Sequence, residues 1–300
     1  MFKVKGLSAF PLTPITDDEI NETSFAGLIE RLANTDVDSI TALGSTGSYA
    51  YLTAPERARA AQLAVEHSGG KPVIVGVGAL RTSQILINVD GAEAAGASAI
   101  LLAPMTYQAL SALEVYEIYH TVALHTKMPI IVYDNPSTTR FKFTPSLYGE
   151  ISQIPNITSI KIPAISSDID ISRKRIDAIR NAVPQHITIG ISGDPVAAAG
   201  LNAGCDAWYS VLAGTVPQPA LAITRAAQQR LPEVATAESH RLAPLWTLFS
   251  ELGGSLRVIA AVAEHYNLAP ENCLPRPIQG LSRQERARVA MTADSLNLDP

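Results

Sequence analysis

Short, nearly uninterrupted apolar runs recur along this chain, separated by longer stretches whose apolar positions return every three to four residues. The runs are Val4–Phe10, Ser39–Leu43, Pro72–Gly78, Ala99–Ala103, Ile130–Tyr133, Ile157–Ile162, Ile187–Ser192 and Ala207–Val211. A run without polar alternation suits a strand of parallel sheet, covered on both faces. The stretches between them carry helix signals. In Thr53-Ala54-Pro55-Glu56 the threonine accepts an orphan N–H while the glutamate reaches back. Thr144-Pro145 places proline just inside a cap, and Gly69-Gly70 and Gly96 supply stop positions. Eight strand–helix units by Val211 predict a TIM barrel. A doubly wound open sheet shares the local pattern, but eight similar units without a linker favour closure. Beyond them, Pro217–Arg230, Glu238–Glu251, Leu256–His265 and Ser282–Leu296 read as helices. The expected organisation is an α/β TIM (β/α)8 barrel over residues 1–216 with a C-terminal helical extension over residues 217–300.

Composition narrows the function classes. Of 300 residues 47% are hydrophobic and 17% charged, below the roughly 25% charge usual in soluble domains. That balance implies a large core with subunit interfaces added. A net charge of −5, with no basic stripe beside aromatic platforms, argues against nucleic-acid binding. Cys205 and Cys273 lie far apart, which suits a reducing compartment, the cytoplasm. No apolar stretch approaches the ~18–20 residues of a membrane span. Lys3 and Lys5 precede too few apolar residues before Pro11 for a secretory signal. The six histidines form no ligand spacing, so neither a metal nor another cofactor is expected.

A barrel places its chemistry at the C-terminal ends of its strands. Of the seven lysines only Lys161 stands at the end of an apolar strand. There an amine is starved of water, its pKa falls, and the neutral form attacks carbonyls. Tyr133 ends the neighbouring strand and places a phenol where a proton must move. Gly44-Ser45-Thr46-Gly47-Ser48 follows the second strand; its backbone N–H groups and hydroxyls suit a carboxylate. Gly193 and Asp194 follow the seventh strand, where the acid suits a substrate hydroxyl better than a phosphate.

Taken in order, Phe10-Pro11-Leu12-Thr13-Pro14, Gly44-Ser45-Thr46-Gly47, Tyr133-Asp134-Asn135-Pro136, Ile160-Lys161 and Ser192-Gly193-Asp194 resemble the dihydrodipicolinate synthase / N-acetylneuraminate lyase family of class I aldolases and lyases. The resemblance covers nearly the whole chain. It implies a barrel with C-terminal helices, usually a homotetramer, in which Lys161 forms a Schiff base with pyruvate or another 2-oxo acid. It further implies Tyr133 as acid/base, Ser45 as proton relay, and Thr46 with the Gly47 backbone as the carboxylate site.

Departures from the family pattern bear on substrate. Thr138 stands where synthases carry an arginine for a second carboxylate, with Arg140 two positions on. Ser48 replaces a glutamate, Tyr107 is one residue off the tyrosine lent between subunits, and Asp134 and Pro163 are atypical. Thr138, Arg140, Gly193, Asp194 and Tyr209 are the expected substrate contacts. The departures favour cleavage, condensation, dehydration or deamination of another small 2-oxo acid, a sugar-derived one among the candidates, over 4-hydroxy-tetrahydrodipicolinate synthesis. A barrel enzyme for phosphorylated substrates and a non-catalytic oxo-acid sensor are the rivals.

Overall fold

The structure, a computed structural model, describes residues 2–298. Eight parallel strands close into a barrel in chain order. They are β1 (Gly6–Ala9), β2 (Ser39–Ala42), β3 (Val73–Gly76), β4 (Ala99–Leu102), β5 (Ile130–Tyr133), β6 (Ile157–Ile162), β7 (Thr188–Ile191) and β8 (Ala207–Ser210). Closure, which local pattern left open, is made by β1 pairing with β8 on one side, Gly6 opposite Ala207, and with β2 on the other. Each strand is wholly buried; Ile130–Tyr133 and Ile157–Ile162 match their sequence runs, and the other six are shorter because the runs' last residues turn into the loop above the barrel.

Helices α1 (Glu22–Ala33), α2 (Ala54–Glu66), α3 (Thr82–Ala94), α4 (Ala112–His125), α5 (Pro145–Ile151), α6 (Ile169–Ala182), α7 (Ala197–Asn202) and α8 (Pro217–Gln228) follow the strands in turn. The Thr53–Glu56 capping box forms at the start of α2, and Thr144 Oγ1 accepts the Leu147 N–H at the start of α5. After α8 come α9 (Pro232–Arg241), α10 (Ala243–Glu251), α11 (Ser255–His265) and α12 (Arg283–Ser295). The helix expected over Glu238–Glu251 is therefore two, broken at Leu242. Pro244 has no N–H for the His240 carbonyl and its ring crowds that carbonyl, so one helix cannot run through.

Strand alternation divides the apolar residues in two. Ile74, Leu101, Ile131, Tyr133, Ala207 and Tyr209 belong to the group inside the barrel, while Ile130, Val132, Ile160, Ile162 and Trp208 pack outward against the helices. Lys161 follows Ser159 on the inward face of β6 by the same period. Among the described residues no single helix is long and apolar enough to cross a membrane; only α10 and α11 taken together reach that length, bent by 120°.

Candidate active site

A cavity of about 1110 Å³ opens at the C-terminal mouth of the barrel. Lys161 reaches it from β6 and is 4% exposed. Tyr133 is its partner across the β5–β6 ladder, and the next rung is the Asp134 N–H donating to the Lys161 carbonyl at 3.0 Å. The amine lies 3.8 Å from the centroid of the Tyr133 ring, 5.2 Å from Phe10 and 5.7 Å from Tyr209. Two glycines make room for the outer rings. A Cβ on Gly190 would stand 2.3 Å from Tyr209, and one on Gly44 2.5 Å from Phe10.

Burial lowers the Lys161 pKa, opposed by Tyr133 and then by the buried acids Asp194 and Asp134. The rings attract a cation through their faces, yet they also exclude the water that solvates an ammonium better. Burial is the larger influence, so the amine gives up its proton more readily than it would in water.

Above the lysine three polar side chains meet. Ser45 Oγ lies 3.2 Å from the Tyr133 hydroxyl, and Asn135 Nδ2 donates to that hydroxyl at 3.0 Å and to Ser45 Oγ at 3.4 Å. Asn135 gained no role from the sequence, where an asparagine before Pro136 reads as a turn residue. Its place two residues beyond Tyr133 was the available signal. Thr46 and Ser48 also line the cavity, whereas Gly47 does not. Gly47 serves packing, since a Cβ there would press on the Leu43 backbone and Thr13. The Ser48 N–H is already given to the Ser45 carbonyl and is lost to any anion.

The remaining expected contacts divide. Thr138, Gly193, Asp194 and Tyr209 line the cavity. The Thr138 hydroxyl donates to the Asn135 carbonyl, and the Tyr209 hydroxyl meets Ser159 inside the barrel. Asp194 is buried and accepts from Trp208 Nε1 at 3.0 Å, Leu212 N at 2.7 Å and Val211 N at 3.3 Å. Those bonds hold the β8 loop; burial lifts the acid to about 6 while the donors pull it back. Arg140 is not brought to the cavity: it is exposed, with a left-handed φ of 56° that ends the single turn Pro136–Thr139. Tyr107 is also elsewhere, 83% exposed in a second hollow with Leu80 and Leu113.

Sequence reasoning missed one wall. Trp246, Phe249 and Ser250 from α10, with Gly253, Gly254 and Ser255 at the turn into α11, also line the cavity. Only tertiary packing brings them there. Among the described residues Lys161 is the one cation lining the cavity and Asp194 the one acid. No group of three histidine, cysteine or acidic side chains among them could hold a metal.

Comparison with known proteins agrees with this fold. A family model described as the dihydrodipicolinate synthetase family matches residues 3–296. A crystal structure of dihydrodipicolinate synthase from Agrobacterium tumefaciens is 42% identical, covers 97% of this chain and 98% of its own, and superposes with a TM-score of 0.93. The 4-hydroxy-tetrahydrodipicolinate synthase of Phenylobacterium zucineum is 29% identical over 71% of each chain. An uncharacterized DapA-like lyase of Halobacterium salinarum is 26% identical over 94% of this chain and 90% of its own.

Proposed function

The chain belongs to the dihydrodipicolinate synthetase family and is a class I aldolase-like lyase; from that premise we propose that its Lys161 forms a Schiff base with pyruvate or another 2-oxo acid. The observation that carries this reading is a buried amine at a barrel strand's end, with a phenol ring 3.8 Å away as its ladder partner. The amine attacks C2 to give a carbinolamine. Water leaves with a proton supplied by the Tyr133 hydroxyl, and an iminium cation remains. That cation accepts the electron pair released when C3–C4 breaks or C3 loses a proton, and the enamine is reprotonated and hydrolysed. Ser45 and Asn135 hold the phenol in place, and the Gly44–Ser48 loop, through Thr46 and Ser48, faces the substrate carboxylate. No metal or other cofactor has a part in this scheme.

The charge inventory bears on the second half of the substrate. Lys161 is taken by the carbonyl, and no other described cation lines the cavity, so a second carboxylate has no partner there. Hydroxyls of Ser250 and Ser255 are at hand instead, while those of Ser137, Thr138 and Ser192 donate to the chain and are left as acceptors. We therefore favour a sugar-derived 2-oxo acid with a hydroxylated, uncharged tail. The second reading, 4-hydroxy-tetrahydrodipicolinate synthesis, is supported by the names of the relatives; it needs Arg140 to turn inward. Assembly as a homotetramer is supported by Leu80, Tyr107 and Leu113, large apolar side chains exposed around one hollow. A cytoplasmic site suits the two free, buried thiols.

Borohydride reduction in the presence of pyruvate, read by intact mass, tests the covalent step. One pyruvyl adduct per chain is expected for the wild type and none for Lys161→Ala. Near-normal turnover by Lys161→Ala rejects the mechanism. A panel of sugar-derived oxo acids, with pyruvate plus aspartate semialdehyde beside it, then separates the two substrates.

A further inference from the structure

Directly behind the Tyr133–Lys161 pair lies a buried acid that the scheme above leaves unused. Asp134 follows Tyr133, and strand alternation turns its side chain out of the barrel, into the layer between β5 and the helices. It is 1% exposed. Its Oδ2 accepts the Tyr148 hydroxyl at 2.5 Å, while Oδ1 is buried with no partner at all. Tyr148, on α5, is itself fixed: its ring stacks on Phe143 at 5.3 Å, and Phe143 packs edge-on against Phe141 and Tyr119.

A carboxylate in apolar surroundings with one donor is costly, and the cost is visible. Burial pushes Asp134 up to about 6, and only the Tyr148 hydroxyl and the positive charges of Arg175 on α6, Lys161 on β6 and Lys142 in the β5–α5 loop restrain the rise. Tyr119 from α4 and Tyr148 from α5 also face it; burial, and the charge on Asp134 itself, hold both phenols above their ordinary range. At neutral pH the group is therefore an anion of weakly satisfied charge, one residue beyond Tyr133 and bonded through its backbone N–H to Lys161.

We propose that Asp134, held by Tyr148, is a positioning residue and the buried counter-charge for the cation that forms on Lys161, an inference that rests on the Schiff-base reading. The chemistry supplies the reason. A neutral amine and a ketone enter, water leaves, and an iminium cation remains in a dry site. A fixed negative charge stabilises that cation more than the neutral amine, without reorganisation at the moment of reaction. Asp194 also lies near Lys161, but its charge is shared among three donors. Asp134 spends its charge on one donor, and its backbone N–H fixes the strand end on which Lys161 stands.

The test follows the rate of pyruvate adduct formation, read by intact mass after a borohydride quench, from pH 5 to 9. The wild type is expected to lose rate as pH falls through about 6, the value to which Asp134 is lifted. Asp134→Asn removes the group and lowers the amine's own pKa. Its acid limb moves to lower pH, and the plateau falls about tenfold, one pK unit of lost charge stabilisation. Tyr148→Phe removes the donor that keeps Asp134 ionised, so its limb moves to higher pH. A purely structural role slows both variants equally at every pH. An acid limb that stays at the wild-type position in either folded variant overturns the inference, and if Asp134→Asn does not fold, Tyr148→Phe decides alone. A wild type that is trapped at no pH overturns the covalent reading, and this inference with it.

Discussion

At Lys161 the same three rings do two opposite things. Their faces attract a cation, and their bulk keeps out the water that a cation needs. Burial is the larger influence on the free amine. On the proposed route the iminium is the cation on which the chemistry depends, and the ring faces and Asp134 would then act in its favour. In the proposed mechanism Tyr133 takes part twice, as ring and as hydroxyl. Tyr133→Phe keeps the ring 3.8 Å from the amine and removes the proton donor. Turnover is expected to fall by about 10²–10⁴ while pyruvate is still trapped on the chain. Trapping as fast as in the wild type would remove the hydroxyl from the step in which water leaves.

The elements matter here for what they leave room for. Gly190 is the ladder neighbour of Lys161 on β7, and its missing side chain is filled by Tyr209 from β8. In Gly190→Ala the new methyl group would stand 2.3 Å from that ring, so the ring must move toward the amine or the strands must part. A cost of about 1–3 kcal/mol in stability is expected, with a fall in adduct formation beyond what the unfolded fraction explains. Thermal melting and trapping on the same sample check both. Lys161 and Tyr133 were legible because a polar residue ending an apolar strand stands out against its own run. Arg140 was not: its left-handed backbone, which carries its side chain away from the mouth, has no signature in a Thr-Thr-Arg-Phe string. The boundary drawn at residue 216 falls between β8 and α8, a helix that packs against β1. The break at Leu242 needed the weight of Pro244 against a strong helical period, and the period was the louder signal.

For the whole molecule, charge is scarce and is placed at a cost. Asp134 and Asp194 are both lifted to about 6 from an ordinary 3.8. A carboxyl whose folded value is raised binds its proton more tightly folded than unfolded. The stability this brings is present in full below about pH 4 and is lost as pH rises through about 6, on the order of 2–3 kcal/mol per group. Asp134→Asn escapes that cost. Its melting temperature at pH 8 is expected to exceed the wild type's by about 2–6 °C, with the gain gone near pH 4, while its adduct forms more slowly. A variant that melts below the wild type at both pH values contradicts the assignment of a buried charge. The barrel's order, and so the mouth at which the cavity opens, was readable from eight repeated runs. The wall contributed by α10 and α11 was not, because which helix folds back over the mouth depends on packing between residues far apart in the chain. That wall helps set the size and polarity of the cavity.

The most direct measurement is a crystal structure of the protein soaked in pyruvate. Continuous density from Lys161 Nζ to C2, with the Tyr133 hydroxyl within hydrogen-bond reach of the new bond, is the predicted result. Pyruvate bound in the mouth with a clear gap to Nζ, or joined to Lys142 instead, contradicts it.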